Sequence, residues 1–155
     1  RVTALGRPVT QRIPLLDFAY STFYRTPADP GAPACPAVCT EFGTEVYPEG
    51  LRGAVALAGS YGRPVWITEN GLADADDDLR AAYVADHLRV LRRAMRDGLA
   101  SVRGYLYWSL VDNFEWAHGF APRFGLYSFD AATLRRRPRP SAGLVHRIFR
   151  TGEVP

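Results

Sequence analysis

A short apolar segment that runs directly into a carboxylate constrains the fold of this 155-residue chain more than any other feature. Residues 64–68 (Pro-Val-Trp-Ile-Thr) lead into Glu69, and Asn70 and Gly71 follow at once. Such a run is typical of a short strand that is buried on both faces, as in parallel sheets. Asn70 and Gly71 predict a turn that ends the strand, because this dipeptide tolerates positive φ.

The position of Glu69 makes it a candidate catalytic residue. It follows a buried strand, and α/β barrels and open α/β sheets place their chemistry at the carboxyl ends of such strands. The alternative is that Glu69 only begins a solvated loop, since strand ends carry many carboxylates of that kind. Position alone does not separate these two interpretations.

The rest of the chain alternates between strands and helices. Strands are predicted over 15–24 and 102–110, where apolar and aromatic residues cluster. Helices are predicted over 47–59 and 79–97 from their apolar spacing, and Ser141 is expected to cap a last helix. This order is typical of a parallel sheet with crossover helices. Three strands leave two edges of such a sheet unpaired, so the chain is expected to be part of a larger barrel.

Two of the predicted helices have an apolar face that would pack on the sheet. In the helix over 79–97 this face consists of Val84, Leu88, Leu91 and Met95, with His87 beside it. In the last helix the face consists of Leu144, Val145, Ile148 and Phe149. A lone His on a helix is more often structural than a ligand, so His87 is expected to be structural.

No metal site is predicted. The acidic residues 74–78 lack the ligand spacing and the glycine of a calcium loop, so they are expected to start a helix. Cys35 and Cys39 form a C-x3-C pair without a further Cys or His nearby, which is weak support for a metal. Free thiols are expected, with a disulfide as the alternative in an oxidising compartment.

Composition limits the classes of function to consider. Hydrophobic content of 47% and charged content of 23% are typical of a soluble globular protein. The net charge of +3 comes largely from local clusters such as residues 134–140, a basic turn-like loop, so nucleic-acid binding is not expected. The sequence has no signal-peptide pattern, and none of its apolar runs approaches the length of ~20 residues that a helix needs to span a bilayer. A cytoplasmic protein without a membrane partner is therefore expected. Because the chain begins at Arg1 rather than Met, it is expected to be a piece of something longer or a processed product.

The predicted strands share one property, since each ends in an aromatic or acidic residue: Tyr24, Glu69 and Trp108. In a barrel these ends converge on one face. Carbohydrate sites need this mixture, because aromatic rings stack on the apolar face of a sugar while carboxylates bind its hydroxyls. Glu115 and Trp116, in the loop after the last strand, fit the hydrogen-bonding role. Core packing is the alternative interpretation for each aromatic residue.

Several segments resemble the motifs of a known enzyme family. Residues 67–71 (Ile-Thr-Glu-Asn-Gly) resemble the nucleophile motif of glycoside hydrolase family one, the β-glucosidase family. Residues 108–116 (Trp-Ser-Leu-Val-Asp-Asn-Phe-Glu-Trp) and 123–127 (Arg-Phe-Gly-Leu-Tyr) resemble its sugar-binding signature. Residues 45–51 and 138–142 also resemble family segments, a helix start and a tail.

The resemblance, which spans residues 15–150, implies both a fold and an activity. The fold would be α/β, the C-terminal three βα units (strands six to eight) of a (β/α)8 TIM barrel, incomplete on its own. Residues 1–155 would form one partial glycosidase domain. Glu69 would be the nucleophile of a retaining β-glycosidase, forming a covalent glycosyl-enzyme from a β-glucoside or oligosaccharide substrate. No cofactor or metal is implied.

The resemblance also implies roles for the other candidate site residues. Trp108 would form a stacking floor, and Phe124 would line the wall of the sugar site. Glu115 and Trp116 would hydrogen-bond the sugar hydroxyls. Tyr24 would hold the nucleophile carboxylate and favour its ionised form.

Two features depart from the family pattern. Thr22 stands where the family has an Asn, which removes an amide near the nucleophile. Retaining hydrolysis also needs a second carboxyl about 5–5.5 Å from the nucleophile, and the Asn-Glu-Pro motif that supplies it is absent. The remaining acidic residues, Glu41, Glu45, Glu49 and Asp112, have no matching context. The chain is therefore expected to be inactive without the missing N-terminal barrel half. One alternative is that it is a non-catalytic carbohydrate-binding or degenerate remnant of such an enzyme. Another is that it is a structural fragment that does not fold stably alone.

Overall fold

The computed structural model describes residues 38–155 and two short backbone segments, β1 (Thr3–Ala4) and β2 (Arg7–Pro8), which pair antiparallel. The strand that the sequence predicts over 15–24 lies outside the described residues, and so does the candidate site residue Tyr24. No helix in the described part of the chain is both long and apolar enough to cross a bilayer.

From residue 38 onward, the three helices and the two parallel strands follow the predicted order. The elements are α1 (Pro48–Gly59), β3 (Val65–Asn70), α2 (Arg80–Arg96), β4 (Val102–Tyr107), β5 (Tyr127–Phe129), β6 (Arg136–Pro138) and α3 (Pro140–Thr151). A 3-10 turn, Trp116–His118, lies in the long loop between β4 and β5. Both α1 and α3 begin with a proline in the first turn, where its missing N–H costs no hydrogen bond.

β3 and β4 form a parallel pair, so their carboxyl ends at Asn70 and Tyr107 lie side by side. The helices α1 and α2 cover one face of this pair through an apolar core of Leu51, Val55, Ile67, Leu91 and Ala94. A second core joins α2, α3 and the loops that follow the strands: Leu72, Tyr83, Val84, Leu126, Ala142, Val145 and Ile148. The two cores hold the strand ends against the helices.

The prediction that β3 is buried on both faces is wrong. Ile67 is buried against the helices, whereas Thr68 and Glu69 are exposed. On the face away from the helices, Trp66 of β3 is 59% exposed and Leu106 of β4 is 53% exposed. The described helices cover only one face of the strand pair, which explains the difference.

The acidic run begins α2, as predicted. Oδ2 of Asp74 accepts hydrogen bonds from the backbone N–H groups of Leu79 (3.2 Å) and Arg80 (2.9 Å). These are N–H groups at the start of a helix, which have no partner within the helix itself.

The buried face of α2 is wider than predicted. Val84 and Leu91 are buried as expected, but Met95 is 45% exposed, and the buried side of the helix also includes Tyr83, His87 and Ala94. The face is wide because α2 packs on both cores, with Tyr83 in one and Ala94 in the other. His87 is buried at 1% exposure, in keeping with the structural role expected for it.

The helix α3 begins differently from the prediction. Arg139 rather than Ser141 occupies the N-cap position. Asp77, in the loop before α2, supplies the capping carboxylate, which accepts hydrogen bonds from the backbone N–H (2.8 Å) and the hydroxyl (2.7 Å) of Ser141. Val145 and Ile148 are buried, as predicted for the apolar face of this helix, whereas Phe149 is 55% exposed.

Two predictions for loops are also wrong. Arg136–Pro138 form strand β6 and pair with β5, where the sequence predicts a basic loop. The guanidinium of Arg136 lies 5.6 Å from the ring centroid of Phe129 on the partner strand, and this contact favours the pairing. Cys39 is disulfide-bonded rather than free. Cys35, the only other cysteine of the sequence, lies outside the described residues.

Candidate active site

Glu69 lies near the carboxyl end of β3, where the strand is irregular. From Ile67 to Asn70, three steps along β3 face only two steps along β4. Ile67 packs in the helix-side core, and Asn70 also contacts the helix side, so the residues between them, Thr68 and Glu69, are both exposed. A bulge of this kind re-aims side chains and is common next to active sites.

The ends of β3 and β4 are in direct contact. The backbone N–H of Trp108 donates a hydrogen bond to the carbonyl of Asn70 (3.1 Å). Neither Asn70 nor Gly71 adopts the positive φ that this dipeptide tolerates. Gly71 is needed for space instead, because a Cβ on it would lie 1.7 Å from the carbonyl oxygen of Trp108. This close approach brings the segment that carries Glu69 next to Trp108.

Trp108 and Glu115 are joined by a hydrogen bond. Nε1 of Trp108 donates to Oε1 of Glu115 (3.2 Å), and the peptide bond between Trp108 and Ser109 is cis. The backbone N–H of Glu115 donates to the carbonyl of Gly119 (2.7 Å), which closes the loop that carries the carboxylate. Oε2 of Glu115 has no hydrogen-bond partner among residues 38–155, so it is free to accept a bond from a ligand hydroxyl.

The two remaining predicted binding residues differ in their surroundings. The ring of Phe124 lies edge-on to that of Phe42, with centroids 5.9 Å apart. Its carbonyl accepts hydrogen bonds from the N–H of Ser109 (3.2 Å) and from the hydroxyl of Tyr107 (3.1 Å). Trp116 is 84% exposed at a φ of 50° and makes no ring contact with the other described residues. The structure therefore brings Phe124 to the end of β4 and leaves Trp116 in solvent.

A buried ion pair fixes the loop after β4, and sequence reasoning did not find it. Asp112 is 4% exposed and accepts two hydrogen bonds from the guanidinium of Arg139 (3.1 and 3.0 Å). Oδ1 of Asp112 also accepts the N–H of Gly125 (2.9 Å), and Arg139 donates to the carbonyl of Gly125 (2.6 Å). The two side chains are 27 positions apart, so no local pattern predicts their contact.

Arg80 is a second residue that the sequence did not single out. Its side chain is fully buried at the start of α2 and pairs with the carboxylate of Asp77. It also donates to the hydroxyl of Tyr107 (2.9 Å) and to the carbonyl of Arg123 (2.8 Å), next to Phe124. An Asp and an Arg three positions apart are the local signal that predicts this pair. Arg80 therefore links α2 to the wall of the candidate site.

Burial governs the protonation of several groups near the strand ends. It raises the pKa of Tyr107 to about 12 and raises the pKa of Tyr105 as well, so both phenols are protonated and can donate hydrogen bonds. It lowers the pKa of His87 to about 4, so this imidazole is neutral at pH 7. The pKa of the buried Asp74 carboxyl is also raised, mainly by desolvation.

Three of the acidic residues that have no matching family context, Glu41, Glu49 and Asp112, have partners among residues 38–155. Oε1 of Glu41 accepts the N–H of Ala75 (2.9 Å), and Glu49 pairs with Arg93 on the outer surface. The Asp112 carboxylate is neutralised by its guanidinium partner. Each of these three carboxylates therefore takes part in a structural contact.

One group of carboxylates in the described ranges is close enough to hold a cation: Asp74, Asp76 and Asp78, with oxygens within 4.8 Å of one another. Asp74 is already engaged with the N-terminal N–H groups of α2, and burial penalises its ionised form. Capping of α2 accounts for the position of Asp74, in agreement with the helix start that the sequence predicts.

Comparison with known proteins identifies the family of this fold. The family model described as glycosyl hydrolase family 1 matches residues 28–153. The chain is 40% identical over 147 residues to a beta-galactosidase of Pyrococcus woesei, covering 94% of this chain and 29% of that protein. It is 43% identical over 117 residues to a beta-galactosidase of Sulfolobus acidocaldarius, covering 75% of this chain and 24% of that protein.

Comparison with solved structures leads to the same family as comparison of sequences. A beta-glycosidase from Pyrococcus horikoshii superposes with a TM-score of 0.74 and 45% identity, over 78% of this chain and 29% of that one. A hyperthermophilic beta-glucosidase from Pyrococcus furiosus gives a TM-score of 0.75 and 46% identity, over 80% of this chain and 26% of that one. The chain spans less than a third of the length of these relatives and matches their carboxyl-terminal part, which confirms the expected fold of a partial (β/α)8 barrel. This chain belongs to glycosyl hydrolase family 1.

Proposed function

We propose that this chain is the carboxyl-terminal part of a retaining β-glycosidase in which Glu69 is the nucleophile. The observation that carries the proposal is the arrangement at the strand ends. Glu69 is exposed on β3, and the carbonyl of the next residue, Asn70, accepts a hydrogen bond from the backbone N–H of Trp108 (3.1 Å). The indole of Trp108 is in turn hydrogen-bonded to the Glu115 carboxylate (3.2 Å). A nucleophile beside an aromatic and carboxylate pair is what a β-glycosidase needs to bind and attack a sugar.

In the proposed reaction, the carboxylate of Glu69 attacks the anomeric carbon of a β-glycoside. The bond from that carbon to the glycosidic oxygen breaks, and the leaving oxygen takes a proton from a general acid. Water then attacks the glycosyl-enzyme, gives up a proton to the same group acting as a base, and releases Glu69. Neither step needs a metal or a cofactor.

The sugar would be held by the residues around Trp108. The indole ring offers a stacking surface, and Oε2 of Glu115 can accept a bond from a sugar hydroxyl while Oε1 is held by Trp108. Phe124, fixed to β4 through its carbonyl, would line the wall. Trp116, at 84% exposure, would turn onto the sugar with its indole N–H as donor. Tyr24, outside the described residues, would hold the nucleophile carboxylate.

The 155-residue chain should be inactive by itself. The acid that protonates the leaving group is worth about 10²–10⁴-fold in rate, and the Asn-Glu-Pro motif that supplies it in the family is absent from this sequence. The open face that carries Trp66 and Leu106 also lacks cover from the described helices. We infer that the partner is the amino-terminal part of the barrel, which would cover this face and supply the acid.

The test uses a chimera in which this chain is joined to the amino-terminal part of the Pyrococcus horikoshii beta-glycosidase. A 2-fluoro glycoside should trap the nucleophile, and peptide mass analysis should find the label on Glu69. The Glu69→Gln chimera should remain unlabelled. A label on any other carboxylate would overturn the central assignment, and turnover of an aryl β-glucoside by the chain alone, abolished by Glu69→Gln, would overturn the proposed inactivity.

A non-catalytic carbohydrate-binding remnant is the second candidate. It is favoured by one observation, the formed Trp108–Glu115 pair in a chain that has no Asn-Glu-Pro motif. A chimera that binds a β-glucoside, and loses that binding in Glu115→Ala, but is never labelled by the 2-fluoro sugar would support this candidate over the enzyme.

A further inference from the structure

The side chain of Asn70 is held from two directions. Its Oδ1 accepts a hydrogen bond from the hydroxyl of Tyr105 on β4 (2.7 Å), and its Nδ2 donates to the hydroxyl of Tyr83 on α2 (3.0 Å). Tyr83 is itself fixed, since its ring stacks on His87 with centroids 3.8 Å apart. The backbone carbonyl of Asn70 accepts the N–H of Trp108 (3.1 Å). Asn70 is therefore bound on its main chain and on both ends of its amide.

These bonds set the direction in which Asn70 points, and that direction conflicts with a regular strand. Side chains of a regular strand alternate between its two faces, so residues three apart lie on opposite faces. Ile67 and Asn70 are three apart, yet Ile67 packs in the helix-side core and Asn70 binds Tyr83 of a helix. The strand accommodates this with the irregular pairing between Ile67 and Asn70.

The irregularity decides where Glu69 points. In a strand that alternated regularly from Ile67, Glu69 would share the helix-side face with Ile67 and be buried. With the irregularity, Glu69 is exposed beside Thr68. We propose that Asn70 is a positioning residue, whose amide, clamped between Tyr83 and Tyr105, holds the bulge that aims Glu69 into the open face of the sheet. The inference deepens the proposed function and rests on it, because the aim of Glu69 matters to catalysis only if Glu69 is the nucleophile.

The bulge itself can be tested without any activity, by the reaction of one introduced cysteine at a time with a thiol reagent in the full 155-residue chain. Peptide mass analysis locates the label, so that any reaction at Cys35 or Cys39 is counted separately. Glu69→Cys reports the aim of the side chain, Thr68→Cys is its exposed neighbour, and Ile67→Cys is a buried reference. Each reporter is combined with Asn70→Leu, which keeps the volume of the side chain and removes both hydrogen bonds. The milder Tyr105→Phe removes one hydroxyl only.

Asn70→Leu and Tyr105→Phe should each slow labelling at Glu69→Cys by about tenfold. Each change leaves a hydrogen-bonding group of the bulge without its partner, which shifts the equilibrium from the bulged strand toward a regular strand in which position 69 is buried. Labelling at Ile67→Cys should stay slow, which excludes general unfolding as the cause. Unchanged labelling at Glu69→Cys in both variants, with Ile67→Cys still protected, would overturn the proposal. If Asn70→Leu unfolds the chain and exposes Ile67→Cys, the labelling rate at Glu69→Cys in Tyr105→Phe alone tests the proposal. No sugar takes part, so failure here leaves the trapping experiment on the chimera unaffected.

Discussion

The carboxylate of Asp112 and the guanidinium of Arg139 form two parallel hydrogen bonds, of 3.1 and 3.0 Å, that join the loop after β4 to the start of α3. The side chain of Asp112 is 1% exposed and that of Arg139 is 10% exposed, so both charges lie out of water. The same pair holds both the N–H and the carbonyl of Gly125. The segment that carries Glu115 is thus closed at its base by one ion pair.

Removing one member of this pair should destabilise the fold strongly. Asp112→Ala leaves the Arg139 charge buried without its partner, and we expect a loss of about 3–5 kcal/mol in the free energy of unfolding. Urea denaturation followed by circular dichroism measures it. The control is Asp86→Ala, which removes an ion pair with Arg89 that is about half exposed, and whose loss should cost roughly 0–1 kcal/mol. Equal losses in the two variants would contradict the structural role of Asp112.

Gly71 provides a test of the contact between the ends of β3 and β4. In Gly71→Ala the new methyl group would lie 1.7 Å from the carbonyl oxygen of Trp108, so backbone must move, and we expect a loss of about 1–3 kcal/mol or more. Gly143→Ala in α3 is the matched control. Its Cβ meets nothing within 4 Å, and the change should stabilise the helix by about 0.5–1 kcal/mol. Thermal unfolding of both variants should therefore shift in opposite directions.

Stability should fall in mild acid because of His87. Burial lowers its pKa to about 4 in the folded chain, against an ordinary value of 6.5. The unfolded chain binds the proton first, so the contribution of neutral His87 is complete above pH 6.5 and is lost as the pH falls from 6.5 toward 4. The loss is about 3 kcal/mol at the conversion of 1.36 kcal/mol per pKa unit.

The measurement is the free energy of unfolding at several pH values between 4 and 7, for the unchanged chain and for His87→Gln. The unchanged chain should lose stability across this range, whereas the variant should give a flatter curve because it has no group to protonate there. Parallel curves for the two proteins would show that other groups govern the acid response.

The elements that the sequence predicts correctly are those set by local spacing. Pro48 starts α1, and the carboxylate of Asp74 starts α2, because proline geometry and capping act within a few residues. Glu69 falls near a strand end for the same reason: the apolar run before it is short and bounded.

The features that the sequence misses depend on partners far along the chain. The pair of Asp112 and Arg139 spans 27 positions, and the bond between Asn70 and Tyr105 spans 35. The buried face of α2 is wider than its apolar spacing predicts because the helix packs on two cores at once, which periodicity within one helix does not reveal. The bulge after Ile67 follows from such distant contacts and not from the order of residues in β3.

The hydrogen bond between Trp108 and Glu115 should affect the affinity for a sugar, because it orients the carboxylate that binds the sugar hydroxyl. In the chimera with the Pyrococcus horikoshii barrel, Glu115→Ala should weaken binding of a non-hydrolysable thioglucoside by about 10–100-fold, since hydrogen bonds to charged groups are worth about 1.5–3 kcal/mol. Trp108→Phe keeps an aromatic face and removes only the indole N–H that holds Oε1 of Glu115. It should cost about tenfold, because the carboxylate is then free to turn away from the sugar.

The two changes should not add. Once Glu115 is alanine, the N–H of Trp108 has no carboxylate to orient, so the double variant should bind about as weakly as Glu115→Ala alone. Isothermal titration calorimetry with the Glu69→Gln background measures binding without turnover. Strict additivity of the two losses would mean that the indole N–H of Trp108 does not act through Glu115. Loss of binding in Trp116→Ala as large as in Glu115→Ala would place the exposed indole on the ligand as well.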